Sequence, residues 1–185
     1  MQTFAQFLHD TAGRGEAVNL MFEQRLFDLA GILHKITGPL MDEGVPHELI
    51  GGLAVLVHVE EADPEHTTLT RDVDLMIRRS DLERVTEIAA RHGVRLGHLL
   101  FSGEKVRPNQ ATPNPPIQPE KKNLLGADVF IIPVADLVRM KLSAYRDQDR
   151  IHIRSMDAAG LITSEVERAL PEDLKTRLQH IRETE

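Results

Sequence analysis

The sequence predicts an α/β fold: a small mixed β-sheet flanked by helices, with helical segments at both ends of the chain. Three observations predict it. A long N-terminal segment repeats apolar residues at helical spacing. Short apolar segments before Gly51 and across 70–78, 94–101 and 124–132 have strand character. Beyond Pro133 the pattern returns to helix. At 185 residues the chain is long enough to bury a core and reads as a single domain. Within it, 1–43 form N-terminal helices, 45–133 the sheet core with a proline-rich loop at 103–120, and 134–185 the C-terminal helices.

Residues 4–10 read as a short helix, broken by Gly13 and Gly15. The segment 16–37 is the clearest long helix: Val18, Met21, Phe22, Leu29, Leu33, Ile36 and Leu40 form one apolar stripe, read as core. Gly38-Pro39 is expected to interrupt or kink it, because proline removes a helical N–H and crowds the preceding turn. Gly44-Val45-Pro46 then turns the chain into the strand that delivers Gly51. An apolar helix follows over 52–60, and 60–66, acidic and containing Pro64, reads as a loop. Thr70 to Arg78 is the next strand. Ser80 with Glu83 reads as a capping box opening a helix that Gly93 ends. A strand is expected at 94–101. The segment 103–122 holds five prolines and is expected to be mobile, since such insertions serve as lids, binding loops or disordered excursions. A strand over 124–132 and a helix over 134–145 follow. Short helices at 149–159, 164–170 and 171–182 finish the chain.

Composition narrows the function classes. Apolar residues make up 41% and aromatics 4%. No stretch approaches the roughly 20 apolar residues of a membrane span, and the basic and apolar blocks of a signal peptide are missing. Cysteine is absent, which excludes disulfides and thiolate chemistry. A cytoplasmic location without membrane contact is the expectation. The net charge of −7 gives no general attraction to nucleic acid, but its distribution is uneven. Residues 1–66 carry eleven acidic against three basic groups, whereas 91–123 carry six basic against two acidic. That basic island, with Lys121 and Lys122 at its end, reads either as a landing place for a polyphosphate or RNA end, or as a loop kept soluble by lysines.

The chemistry concentrates at 49–77. In a strand, Asp72 and Asp74 project on the same side, about 7 Å apart. Two such carboxylates repel, and burying them unpartnered is costly. A divalent cation removes the penalty, and hard oxygen ligands suit Mg²⁺ or Mn²⁺. Upstream, Gly51-Gly52 places bare backbone at a helix start, where N–H groups and the helix dipole favour a phosphate. Each motif alone also has a structural reading, a capped turn or an Asp paired with Arg71 or Arg78. The order of strand, Gly-Gly, apolar helix and carboxylate strand points instead to phosphoryl or nucleotidyl transfer. His58, near the end of that helix, reads as packing or cap. Asp128 is an isolated carboxylate inside an apolar strand and needs compensation. A neighbouring position would let it complete a three-carboxylate cluster with Asp72 and Asp74; pairing with an arginine at the sheet edge is the alternative.

The segment Leu49-Ile50-Gly51-Gly52-Leu53-Ala54-Val55, followed by Thr70-Arg71-Asp72-Val73-Asp74-Leu75, resembles the minimal nucleotidyltransferase superfamily, of the DNA polymerase beta-like fold. The Gly-Gly-x-Ala and Thr-Arg-Asp-x-Asp-Leu variants resemble its AbiEii-like toxin branch, as does Lys141-Leu142-Ser143-Ala144-Tyr145-Arg146-Asp147-Gln148-Asp149. Two departures stand out: Gly52 replaces the serine of many active members, and the loop between the motifs, 59–69, is long.

The resemblance implies Mg²⁺-dependent nucleotidyl transfer from an NTP to an RNA (a tRNA end) or protein acceptor, with a toxin role beside an antitoxin partner. It implies that Asp72, Asp74 and Asp128 hold metal and catalyse, and that Gly51 and Gly52 face the phosphates. Arg71, Lys141 and Arg146 are candidate phosphate ligands; Lys141, Tyr145 and Asp149 share a face if the helix continues. Two alternatives come from other classes: a catalytically weak NTP-binding or regulatory module, and an interaction protein acting through its helical ends.

Overall fold

The computed structural model describes residues 4–97, 100–101, 119–124 and 127–184. The fold is mixed α/β. Its five-stranded sheet has the order β3-β2-β1-β5-β4, built from β1 (His47–Ile50), β2 (Asp74–Ile77), β3 (Leu100–Phe101), β4 (Glu120–Leu124) and β5 (Ala127–Ile131). β1 runs antiparallel to β2 and parallel to β5; β2 and β3 are parallel, β4 and β5 antiparallel. The expected helices at both ends are present.

The N-terminal helix α1 is one piece, Phe4–Asp42, with Pro39 inside it. Gly13 and Gly15 do not break it: a helical glycine costs about 1 kcal/mol and weakens without forbidding. Nor does Pro39 stop it. Ile36 and Leu40 on either side are buried, and each such burial is worth about 1.5–3 kcal/mol, which offsets the roughly 3 kcal/mol an interior proline costs. The apolar stripe holds at Leu29, Leu33, Ile36 and Leu40, but Met21, read as core, is 73% exposed, alongside exposed Leu20 and Phe27. The side chains of Val18 and Phe22 lie outside those described.

Helix α2 (Gly51–Ala62) begins where β1 ends, and its residues from Gly52 to Val59 are all buried. α3 (Leu82–Arg91) opens after a 3-10 turn, Arg79–Asp81, without a side-chain cap, so the Ser80–Glu83 capping box is not formed. Gly93, at φ +66°, ends the turn beyond it as expected. Among the described residues of the expected 94–101 strand, Leu100–Phe101 are strand and 94–97 have no regular structure. The expected strand over 124–132 is instead two, β4 and β5, because pairing begins at Glu120. That moves Lys121 and Lys122 out of the loop and into the sheet; most of the proline-rich segment, 102–118, lies outside the described residues.

The C-terminal part comprises α4 (Val134–Ala144), α5 (Asp147–Ala158), α6 (Ser164–Arg168) and α7 (Glu172–Glu183). α4 ends at Tyr145, whose φ of +53° is left-handed and stops the helix. Its ring lies under the guanidinium of Arg177, 5.1 Å from the centroid. Lys141, Tyr145 and Asp149 therefore do not share one helical face; the chain turns between them. The main core gathers Leu49, Ile50, Leu53 and Val55 with Leu137, Leu142, Ile153 and Leu178, and a smaller cluster joins Ile36 and Leu40 to Ile77, Val85 and Ile88. No helix among the described residues is long and apolar enough to cross a membrane.

Glu48 is an unusual member of β1. Half-buried, with Oε2 unpartnered, its carboxyl is pushed up to about 7 by burial and by the negative charge of Asp136. The folded state thus holds a proton the unfolded chain releases near its ordinary value of 4.5. The stability this contributes is full below about 4.5 and is lost as pH rises through about 7. Glu48→Gln is expected to melt higher than wild type at pH 8, with the gap closing by pH 5. Parallel curves of Tm against pH would refute this.

Candidate nucleotide and metal site

The site forms where β1 meets α2. Gly51, the first residue of α2, has φ +74°, a conformation that favours glycine. A side chain here would also collide with Asp74: a Cβ would lie 2.6 Å from its Cγ. The collision follows from register, since Ile50 pairs with Asp74 across β1 and β2. Ile50 offers no side-chain cap to α2. The backbone N–H of Gly52 donates to Asp74 instead, so the carboxylate satisfies one orphan donor and sits at the positive end of the helix.

Asp74 has its pKa raised, first by burial; the positive charge of Lys141 opposes this, and the like charge of Asp72 adds to it. Asp72 lies before β2, exposed, so the alternation of a strand is not what brings the two together. They nonetheless repel, as expected of paired carboxylates. Arg71 is exposed in the same segment, and its carbonyl accepts from Arg25 Nη2 at 2.6 Å.

The cationic side comes from the α4–α5 turn. Lys141 is 5% exposed and donates to Asp149 Oδ1 at 3.0 Å. Asp149 is 1% exposed and also accepts from Arg146 Nε at 2.7 Å and from the Arg146 backbone N–H at 3.2 Å. Burial would raise the Asp149 pKa, but the bonds and charges of Arg146 and Lys141 outweigh it and hold it low. Asp149 thus fixes both cations, Lys141 from within and Arg146 at the surface, where its side chain is 75% exposed. Both act on Asp74.

Thr70 and His152 complete the site, and the sequence reading assigned neither. Both pack against Gly52: a Cβ there would lie 2.9 Å from Thr70 Cβ and 3.3 Å from His152 Cε1. His152 is buried, and burial, then the charge of Lys141, pushes its pKa down to about 4, leaving a neutral imidazole at pH 7. Its place one helical turn beyond Asp149 was the signal that could have found it.

Asp128 is not part of this arrangement. It pairs with Lys121 Nζ at 2.6 Å and accepts from Asn123 at 3.1 Å, within the β4–β5 hairpin at the sheet edge. β1 lies between β5 and β2, so the three-carboxylate cluster expected of Asp72, Asp74 and Asp128 is not assembled. Among the described residues no group of three or more metal-ligating side chains is brought together. Lys121 and Lys122, at the end of the basic island, are likewise engaged. Lys122 pairs with Glu61 at 2.5 Å and stands 3.4 Å from His58 Nδ1. His58 Nε2 donates to the Ile132 carbonyl at 2.8 Å, the packing role expected of it.

No protein-family model, curated protein or solved structure matches this chain.

Proposed function

We propose that this site binds a nucleoside triphosphate with a divalent cation and transfers its nucleotidyl group to an acceptor. One observation carries the reading: Asp74 is held against the N-terminus of α2 by the Gly52 N–H, within reach of the charges of Asp72, Lys141 and Arg146. The donor set fits Mg²⁺ or Mn²⁺, since Asp72 and Asp74 are hard oxygen donors whose mutual repulsion a cation relieves. Asp72 and Asp74 would hold the ion, which when bound supplies charge neutralisation for the triphosphate. Lys141 and Arg146, fixed by Asp149, hold phosphate oxygens, and Arg71 stands exposed beside Asp72. An RNA end or a protein is the acceptor class the sequence resemblance implies, together with an antitoxin partner.

The position of Asp128 favours a second reading, an NTP-binding or regulatory module without transfer, because the acceptor-side carboxylate is missing from the site. The exposed Leu20, Met21 and Phe27 of α1 favour a role in protein contacts.

Mg²⁺ or Mn²⁺ with an NTP is expected to raise Tm by mass action, and Asp74→Ala is expected to abolish that rise while the fold persists. An unchanged rise in the Asp72→Ala/Asp74→Ala double variant would sink the site. Incubation with each labelled NTP, Mg²⁺ and total RNA separates transfer from binding alone.

A further inference from the structure

Gly52 has no side chain, yet the space above it is filled by a hydroxyl. Thr70 is 5% exposed, and its Oγ1 is in closer contact with the Cβ position of Gly52 than any other atom. That Oγ1 makes no hydrogen bond among the described residues, and it is not among the atoms sealed from solvent. His152, 2% exposed, meets the same Cβ position, and its Nδ1 is also unpartnered. That Nδ1 is one bond from the Cε1 that meets Gly52. Two polar side chains, each more than nine-tenths buried and without a partner among the described residues, therefore meet the Cβ position of the second residue of a twelve-residue helix.

We propose that Thr70 is a phosphate-binding residue: its hydroxyl donates to a phosphate oxygen of the bound nucleotide at the N-terminus of α2, and Gly52 is glycine so that this hydroxyl can stand there. The inference rests on the nucleotide reading of the site and adds a specific ligand to it. Asp74 takes the Gly52 N–H, so the backbone seat expected of the two glycines is partly occupied, and a side-chain donor is needed beside it. Thr70 approaches Gly52 from the segment before β2 and supplies a hydroxyl there. Its O–H is a donor with free rotation, suited to a charged oxygen, and hydrogen bonds to charged groups are the stronger ones.

Binding of Mg²⁺ with inorganic tripolyphosphate, and with each of the four common NTPs, tests this by titration calorimetry. Thr70→Val removes the hydroxyl at nearly constant shape and should weaken every one of these ligands about ten-fold or more. Thr70→Ser should stay within about three-fold of wild type. Gly52→Ser alone should bind poorly, because its side chain meets Thr70. Gly52→Ser/Thr70→Gly, which moves the hydroxyl onto the helix and removes both Thr70 atoms that collide with the new Cβ, should regain most of the affinity. Undiminished binding by Thr70→Val, or equal losses in Thr70→Val and Thr70→Ser, overturns the proposal while leaving the nucleotide site standing. If Thr70→Val fails to fold, the Gly52→Ser/Thr70→Gly variant decides: recovery over Gly52→Ser supports the proposal, and none overturns it. A wild-type chain that binds none of these probes overturns the nucleotide reading and this assignment with it.

Discussion

Asp149→Ala is expected to cost about 3–5 kcal/mol of folding stability, the largest loss of any single polar substitution in the site. The reason is Lys141. Its ammonium is buried and donates to Asp149 Oδ1; without that carboxylate a charge remains in the interior unpaired, and desolvating a charge without a partner is far more costly than losing a surface pair. Arg146 loses its anchor in the same step. Chemical denaturation of wild type and variant measures the difference. A loss under about 1 kcal/mol would mean that Lys141 is solvated in solution and that the buried pair does not exist. The companion variant Lys141→Met/Asp149→Leu separates structure from function. Replacing both charges by apolar groups of similar size is often neutral or stabilising. It should therefore fold about as well as wild type while binding NTP with Mg²⁺ far more weakly. If it folds and binds as wild type does, Lys141 takes no part in holding phosphate.

Gly51→Ala is expected to abolish cation-dependent NTP binding while leaving a folded protein. Two costs fall on it. An alanine at φ +74° costs roughly 1–2 kcal/mol, which lowers Tm by about 2–4 °C per kcal/mol in a chain of this size. The second cost is local: the new methyl collides with the Asp74 carboxylate and drives it from the Gly52 N–H and from its place among the charges of Lys141 and Asp72. Gly44→Ala is the control. Gly44 has φ +65° with nothing within 4 Å of its Cβ position, so it should lower Tm comparably and leave binding intact. Equal retention of binding in both variants would show that the placement of Asp74 over Gly51 is unimportant for the ligand.

The sequence alone determined the parts of this protein that depend on near neighbours. The strand before Gly51, the helix after it, the apolar strand that Asp74 opens and the helical C-terminal part are readable because periodicity, turn residues and glycine act locally. The contact of Asp74 with the glycines is nearly local too, since β1, α2 and β2 follow one another and antiparallel pairing places Asp74 opposite Ile50. Tertiary structure decided the rest. Whether Gly13, Gly15 and Pro39 break α1 depends on the core its second half buries, and a propensity cannot weigh that. Asp128 carries a plausible local pattern, but its place depends on strand order: β1 lies between it and Asp74, and Lys121 arrives from β4 to neutralise it. Lys141 and Asp149 fit a single helix on spacing, yet Tyr145 turns the chain, and the two meet across the break between α4 and α5. In the sequence Thr70 only opens the Thr-Arg-Asp segment, with no role assigned to its hydroxyl, and His152 is an ordinary helical residue. Only the fold sets both against Gly52, because close packing at a bare backbone position draws its partners from segments that no local pattern connects.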